Sequence, residues 1–222
     1  MRRAILAAFT LVGSMALAHG QDVSASDLAG RTIERRAIEV MNWGMPAVNY
    51  DLMLQAAISS AEGGPNQIVY WSHLFDWKNQ TLTPNPDVIY VMPFFNTKEV
   101  GPMVLEIPAA SDDGSITETI MDCWQAPLED VWGRRALTRA RAAGAPDYKM
   151  AIPDGYIVLP SLNFEGNAPL RSILKGGSDA DLAKAVAYAK RIKFYPLSEA
   201  SNPPADKIRR RGRCRFRRDD PV

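Results

Sequence analysis

The stretch TLTPNPDVIYVMPFFNT, residues 81–97, joins a proline-rich bend to a run of apolar residues. Proline restricts the residue before it to extended backbone and offers no N–H to a sheet ladder, so Pro84 and Pro86 predict a rigid corner. The apolar and aromatic residues that follow predict a buried strand. Asn85 and Asp87 are short polar residues that stabilise turns, which leaves two interpretations: a structural corner, or a rim that presents both side chains to a ligand.

Outward from this corner, short strand-like segments lie between helical segments at the two ends of the chain. Helical spacing predicts one helix that ends at Gly44 and Pro46, a second that ends before Gly63, and a third over 178–192 with Ser178 as its N-cap. Runs of β-branched and aromatic residues bounded by turn residues predict strands at 67–77, 88–95, 103–107, 115–124, 148–152 and 156–160. The fold class is therefore α+β, with N-terminal helices, a central, mostly antiparallel β-sheet of short strands and a C-terminal helix.

The first 18 residues have the pattern of a secretory signal peptide. Two arginines precede an uncharged apolar stretch that ends in Ala-Leu-Ala, a small-residue cleavage signal. The stretch is shorter than the ~20 residues of a membrane span, and no later segment is as apolar. We expect secretion, into the periplasm if the host is a Gram-negative bacterium, with no membrane span after cleavage.

Arginine is unevenly distributed along the chain. Residues 132–145 contain four arginines and no acidic residue before Asp147, and the tail at 209–222 contains seven arginines. A polyanion-binding arm and a solvated tail are two explanations. We favour a third: both blocks are read out of frame, because shifted reading of plausible codons gives ordinary loop and strand sequences. This interpretation predicts no nucleic-acid partner, and it confines the genuine domain to residues 30–208.

Motifs that would identify an enzyme are scarce. The sequence has no H-E-x-x-H, C-x-x-C or G-x-S-x-G motif and only two histidines, so we predict no metal and no cofactor. His73 stands near Asp76, but neighbouring residues of an extended segment point to opposite faces, so Ser72 is poorly placed as its nucleophile. Whether the protein is an enzyme stays open.

Polar residues among the aromatic ones are the candidates for ligand binding. Pockets are mostly apolar with a few fixed polar groups, and the same aromatic residues could equally form the core. The ligand-binding candidates are Asn85, Asp87, Tyr90, Asp122, Trp124 and Arg171, and the catalytic candidates are Asp87, Tyr90 and His73.

Five motifs resemble one bacterial family, the domain of unknown function 1254. They are TPNPDVIY, GPMVLEIP, DCWQAPLEDV, IPDGYIVLPS and AKRIKFYPLSEASNPPA. The resemblance implies a secreted or periplasmic protein without an established activity, in a family that usually carries a second, β-sandwich domain of the DUF1214 type. The family's usual residues are similar to the shifted readings of both basic blocks, which implies a frameshifted and truncated chain.

Three hypotheses about function follow. The leading one is a periplasmic domain that binds a small molecule, in a truncated and inactive form. The alternative is a periplasmic hydrolase that uses Asp87 with Tyr90 or His73. The third is a module that forms homo-oligomers through its sheet.

Overall fold

The computed structural model describes most of the chain between residues 24 and 211. The described residues are 24–61, 63–76, 85–112, 114–132, 141–144, 146, 148–149, 151–203 and 208–211. The predicted signal peptide and Pro84 of the predicted corner lie outside these residues. Within them, helices and a largely antiparallel set of strands confirm the predicted α+β class.

A single helix, α1 (Ala25–Ala61), replaces the two predicted N-terminal helices. The prediction that Gly44 and Pro46 end a helix is wrong, since Pro46 lies inside α1. Proline removes one backbone hydrogen bond from a helix interior, and burial of the residues after it outweighs that local preference. The chain still divides into two compact units at this point, between Trp43 and Gly44. No helix in the described part of the chain has the length and apolar character needed to span a membrane.

The first unit contributes helical residues whose apolar side chains face solvent. Ile33, Ile38, Val40, Met41 and Trp43 are each between 58% and 71% exposed. Exposed apolar surface of this extent is typical of interaction sites. The predicted homo-oligomer stays a prediction.

Eleven strands and a second helix follow in the described residues. They are β1 (Gln67–Trp71), β2 (Val88–Asn96), β3 (Met103–Glu106), β4 (Ile116–Asp122), β5 (Pro127–Trp132), β6 (Arg141–Ala143), β7 (Ile157–Leu159), β8 (Glu165–Asn167), β9 (Leu170–Ile173), α2 (Asp179–Ala189), β10 (Lys193–Pro196) and β11 (Ile208–Arg211). The predicted strand at 148–152 is wrong, because none of its described residues is in a strand. Strands β5, β6, β8, β9, β10 and β11 were not predicted. All of them except the six-residue β5 are three or four residues long, too short for a clear alternation of apolar residues.

The strands form two sheets rather than the one central sheet predicted. The larger has the order β11, β1, β2, then β8 and β9 between β2 and β4, and finally β5. The smaller has the order β10, β3, β6, β7. All pairs are antiparallel except β1 with β11 and β6 with β7. This arrangement places β2 at the centre of the larger sheet, with both of its faces buried.

Each face of the larger sheet has its own core. On one face, Ile89, Val91 and Phe95 pack with residues of β3 and α2. On the other, the residues of α1 that follow Pro46 pack against Val69, Trp71, Val88, Tyr90, Met92 and Phe94. The helical residues of this second core, at i, i+3, i+4, i+7 and i+11 spacing, are Tyr50, Met53, Leu54, Ala57 and Ala61. We call this face, with the strand side chains that share it, the α1-side face.

Helix α2 begins as the sequence predicts. The Ser178 side chain accepts from the Asp181 N–H, and the Asp181 side chain accepts from the Ser178 N–H, which forms a capping box. Such a box satisfies two backbone donors that a helix start would leave unpaired.

Parts of both arginine-rich blocks form strands. Residues 141–143 pair with β3 and β7, and residues 208–211 pair with β1. Residues 133–140 and 212–222 lie outside the described residues. Reading frame is a property of the gene, so the frameshift interpretation and the domain limits drawn from it stay predictions.

Candidate functional site

The bend before β2 is tied to the strand by hydrogen bonds. The Asn85 Oδ1 accepts from the Asp87 N–H at 2.8 Å, a turn that asparagine commonly closes with its own side chain. The Asn85 N–H donates to the Tyr90 hydroxyl at 2.9 Å. Because Tyr90 is anchored in the sheet, this bond holds the bend over the start of β2.

Tyr90 lies at the centre of an aromatic cluster. The Phe75 ring stacks on it with centroids 4.7 Å apart and planes inclined by 12°. Trp71 meets both rings edge-on, at 5.0 Å from Phe75 and 6.5 Å from Tyr90. Offset stacks and edge-on pairs of this kind add to the burial of aromatic area, so the cluster is a rigid apolar wall.

One cation lies against this wall. Arg171 of β9 is the cross-strand partner of Tyr90, and its guanidinium carbon lies 5.7 Å from the centroid of the Tyr90 ring. Thr117 of β4 is the partner of Arg171 on the other side, so all three side chains share one face of the sheet. Arg171 is half-buried, whereas Asn85 and Asp87 on the bend are exposed.

We call the group of Tyr90, Phe75, Trp71, Arg171 and Thr117 the Tyr90 site. Four of the six sequence-predicted ligand residues gather here or at its edge: Asn85, Asp87, Tyr90 and Arg171. Phe75 and Thr117 were missed, since only the fold brings them to Tyr90.

Asp122 and Trp124 lie elsewhere. Both belong to the turn between β4 and β5, where the Asp122 Oδ1 accepts from the N–H groups of Trp124 and Ala126 at 2.9 Å each. The Asp122 Oδ2 accepts from the Asn163 side chain at 2.7 Å. Asp122 lies five positions after Thr117 along β4, a distance of about 17 Å. The structure therefore places this carboxylate in a turn, away from the Tyr90 site.

His73 follows β1 and is half-buried, two residues before the stacked Phe75. Asp76, its predicted partner, is exposed at the end of the same segment. Among the described residues, no group of three or more His, Cys, Asp or Glu side chains could hold a metal ion.

A second polar group, which the sequence did not reveal, lies further along the α1-side face. The side chain of Asn167 is fully buried, and neither of its polar atoms has a hydrogen-bond partner among the described residues. Tyr50, Cys123 and Glu165 lie nearby: burial first, and then the Glu165 carboxylate, raises the pKa of the Tyr50 phenol. Burial and the acidic groups of Asp122 and Glu165 likewise raise the pKa of the Cys123 thiol. The thiol is therefore held protonated, unlike that of a nucleophilic cysteine.

Comparisons with known proteins agree with the resemblance seen in the motifs. A family model described as "Protein of unknown function (DUF1254)" matches residues 65–196. The crystal structure of the VPA0106 protein from Vibrio parahaemolyticus is similar, with a TM-score of 0.56 at 16% sequence identity. The alignment covers 82% of this chain and 41% of that one, so the chain spans less than half of that protein. At this identity the likeness shows the fold alone. No curated protein matches.

Proposed function

We propose, from the premise that this chain belongs to the DUF1254 family of proteins of unknown function, that it binds a small anionic molecule with an apolar body. The ligand lies at the Tyr90 site, with its anionic group on Arg171 and its apolar part on the aromatic wall. The single observation that carries the proposal is the guanidinium of Arg171 held 5.7 Å from the Tyr90 ring.

The chemistry of arginine supports an anionic ligand. A planar guanidinium matches a carboxylate or phosphate with two parallel hydrogen bonds, and it also stacks on aromatic rings. Stacking on Tyr90 limits the motion of Arg171, so less side-chain entropy is lost when a ligand binds. Half-burial strengthens the attraction between opposite charges compared with that in water.

The surroundings favour a single negative charge. Asp87 stands on the bend that the Asn85 N–H ties to Tyr90, and its exposed carboxylate repels a second anionic group. Thr117 offers a hydroxyl on the neighbouring strand. A monocarboxylate with an aromatic or aliphatic body fits this combination best.

We further propose that the protein acts in the periplasm. The pattern of residues 1–18 supports this location, although those residues lie outside the described part of the chain. N-terminal sequencing of the protein recovered from a periplasmic fraction tests it: mature protein should begin after Ala18, and an intact Met1 in the cytoplasmic fraction would contradict it.

A panel of ligands tests binding at the Tyr90 site. Benzoate, phenylacetate and hexanoate are titrated by calorimetry, with benzyl alcohol and hexanol as uncharged controls. We expect saturable binding of at least one carboxylate and no binding of the matching alcohol.

The chain offers a matched control for Arg171. Arg191 lies over the ring of Tyr188 at 5.6 Å, so Arg191→Gln removes a similar cation–π contact outside the Tyr90 site. Arg171→Gln should weaken carboxylate binding at least tenfold, and Arg191→Gln should leave it unchanged. Equal losses in both variants, or no carboxylate bound by the wild type, would overturn the proposal.

The hydrolase alternative has its own test. Tyr90 already accepts the Asn85 N–H, which orients its hydroxyl, and Asp87 stands on the same bend. Ester turnover that disappears in Asp87→Asn, with carboxylate binding retained, would favour a hydrolase over a binding protein.

A further inference from the structure

A fully buried amide marks a second place on the α1-side face. Asn167 of β8 lies opposite Phe94 of β2 and Met121 of β4 in the sheet register, so its side chain is on the same face as theirs. The Phe94 ring lies 6.2 Å from the ring of Tyr50 on α1. The amide of Asn167 therefore points into the layer between the sheet and α1, and it has no hydrogen-bond partner among the described residues.

The groups around Asn167 complete a set of donors and acceptors. Glu165, two residues earlier on β8, shares the face with Asn167. One oxygen of the Glu165 carboxylate accepts a hydrogen bond from the Asn96 side chain at 2.8 Å. The other carboxylate oxygen can accept a hydrogen bond from a ligand. Tyr50 is only 3% exposed, and the Glu165 carboxylate is close enough to help raise the pKa of its phenol.

An unpartnered buried amide is costly unless something pairs with it. Leaving a buried donor or acceptor unsatisfied destabilises a fold substantially, and native proteins rarely keep such groups without a reason such as a bound molecule. Asn167 presents both an acceptor and a donor, so a partner that offers both kinds of group gives each of its two polar atoms a hydrogen bond.

We propose that Asn167, Tyr50 and Glu165 form a binding site for a primary amide group. The ligand's NH₂ donates to the Asn167 Oδ1 and to the free Glu165 oxygen. The ligand's carbonyl accepts from the Asn167 Nδ2 and from the Tyr50 hydroxyl. Two hydrogens and two lone pairs on the amide then meet two acceptors and two donors of the protein.

Other ligand classes match this set less well. A carboxylate lacks the donors and is repelled by Glu165. An amine satisfies the oxygens but leaves the Asn167 Nδ2 without an acceptor. Glu165 and Cys123 are half-buried, whereas Asn167 is fully buried.

This site is separate from the Tyr90 site. Phe94, the partner of Asn167, lies four positions after Tyr90 along β2, which amounts to about 13 Å. Substitution of Arg171 should therefore leave amide binding unchanged, so the two proposals can fail independently.

Acetamide is the probe, titrated against the whole protein by thermal unfolding and by two-dimensional amide NMR. We expect acetamide to raise the melting temperature with increasing concentration and to shift the backbone resonances of β8 saturably. N,N-dimethylacetamide, which has no N–H, acetate and ethylamine should have no such effect.

Two variants locate the effect. Asn167→Leu keeps the approximate size of the side chain, and without ligand it should melt at or above the wild-type temperature, because the unpartnered amide is gone. It should bind acetamide at least tenfold more weakly. Tyr50→Phe keeps the ring and should weaken binding severalfold, which preserves the test if Asn167→Leu does not fold.

Three results would overturn the proposal. The first is a wild type that shows no saturable response to acetamide. The second is an Asn167→Leu variant that responds like the wild type. The third is a crystal structure grown with acetamide in which a water molecule alone bridges Asn167, Tyr50 and Glu165.

Discussion

Replacement of Asp122 by alanine removes the acceptor around which the turn between β4 and β5 is built. Its carboxylate accepts from two backbone N–H groups, at Trp124 and Ala126, and from the side chain of Asn163. Asp122 is only 5% exposed, so water replaces the lost acceptor only in part.

The expected cost follows from these three bonds. A hydrogen bond to a charged group contributes about 1.5–3 kcal/mol, and the lower figure for each bond gives about 4.5 kcal/mol. Because the turn around Asp122 is half-buried, water compensates part of this, and we expect a loss of about 3 kcal/mol in the free energy of unfolding. That is a large share of the roughly 5–15 kcal/mol by which a domain is stable.

Asp122→Asn is the matched control. Its Oδ1 still accepts from the Trp124 and Ala126 N–H groups, but its NH₂ meets the NH₂ of Asn163 unless that amide turns over. We expect a loss of about 1 kcal/mol, the size of one ordinary hydrogen bond.

Urea unfolding followed by circular dichroism measures both variants against the wild type. The order wild type, Asp122→Asn, Asp122→Ala in falling stability supports a structural role for this carboxylate. A stability loss below about 1 kcal/mol in Asp122→Ala, together with weakened ligand binding, would refute the reasoning. Asp122 would then be a ligand residue, as the sequence suggested.

Three further predictions concern the fold. Ser178→Ala should lower the free energy of unfolding by about 1 kcal/mol. Carboxyl NMR should also show a higher pKa of Asp181 in this variant, because in the wild type the Ser178 hydroxyl is the main group that holds this pKa below its ordinary value. In the wild type the stabilisation from Asp181 is present above its unfolded pKa and is lost as the pH falls through its lower folded pKa. The pKa of Tyr195 is raised, first by burial, so the stabilisation from this group is fully present below pH 10.0 and is lost as the pH rises further. The free energy of unfolding of Tyr195→Phe should therefore fall less steeply at alkaline pH than that of the wild type, and an unchanged slope would contradict this. A Cβ at Gly166 would clash with a Phe ring and a backbone oxygen of the neighbouring strands, so Gly166→Ala should lose about 3 kcal/mol. Gly64→Ala, with open space around its Cβ, is the control in the same urea assay. Equal stability of the two variants would contradict a steric clash at residue 166.

Several elements were predictable because their signals are local. The N-cap at Ser178 requires only a hydroxyl and an acidic residue three positions on. Strand β2 was predictable from an unbroken apolar run after a proline-braced bend. The family resemblance rests on motifs of the same local kind, and the match over residues 65–196 confirms it.

Errors arose where tertiary packing outweighed a local preference. Pro46 is a helix breaker in isolation, yet α1 continues through it because the residues that follow are buried against the larger sheet. Strands β8 and β9 are too short for a recognisable alternation, and their backbone bonds to β2 and β4 define them instead.

The sequence by itself determined the mixed helix-and-sheet class, the bend at Asn85 and the residue types available for binding. Only the tertiary structure decided that Arg171 lies against Tyr90, that the Asp122 carboxylate accepts its hydrogen bonds within a turn, and that the amide of Asn167 is buried. The physical reason is that helix caps and turns depend on neighbours within a few residues. Strand register, by contrast, depends on pairing between residues far apart in the chain, and the local sequence specifies it only weakly.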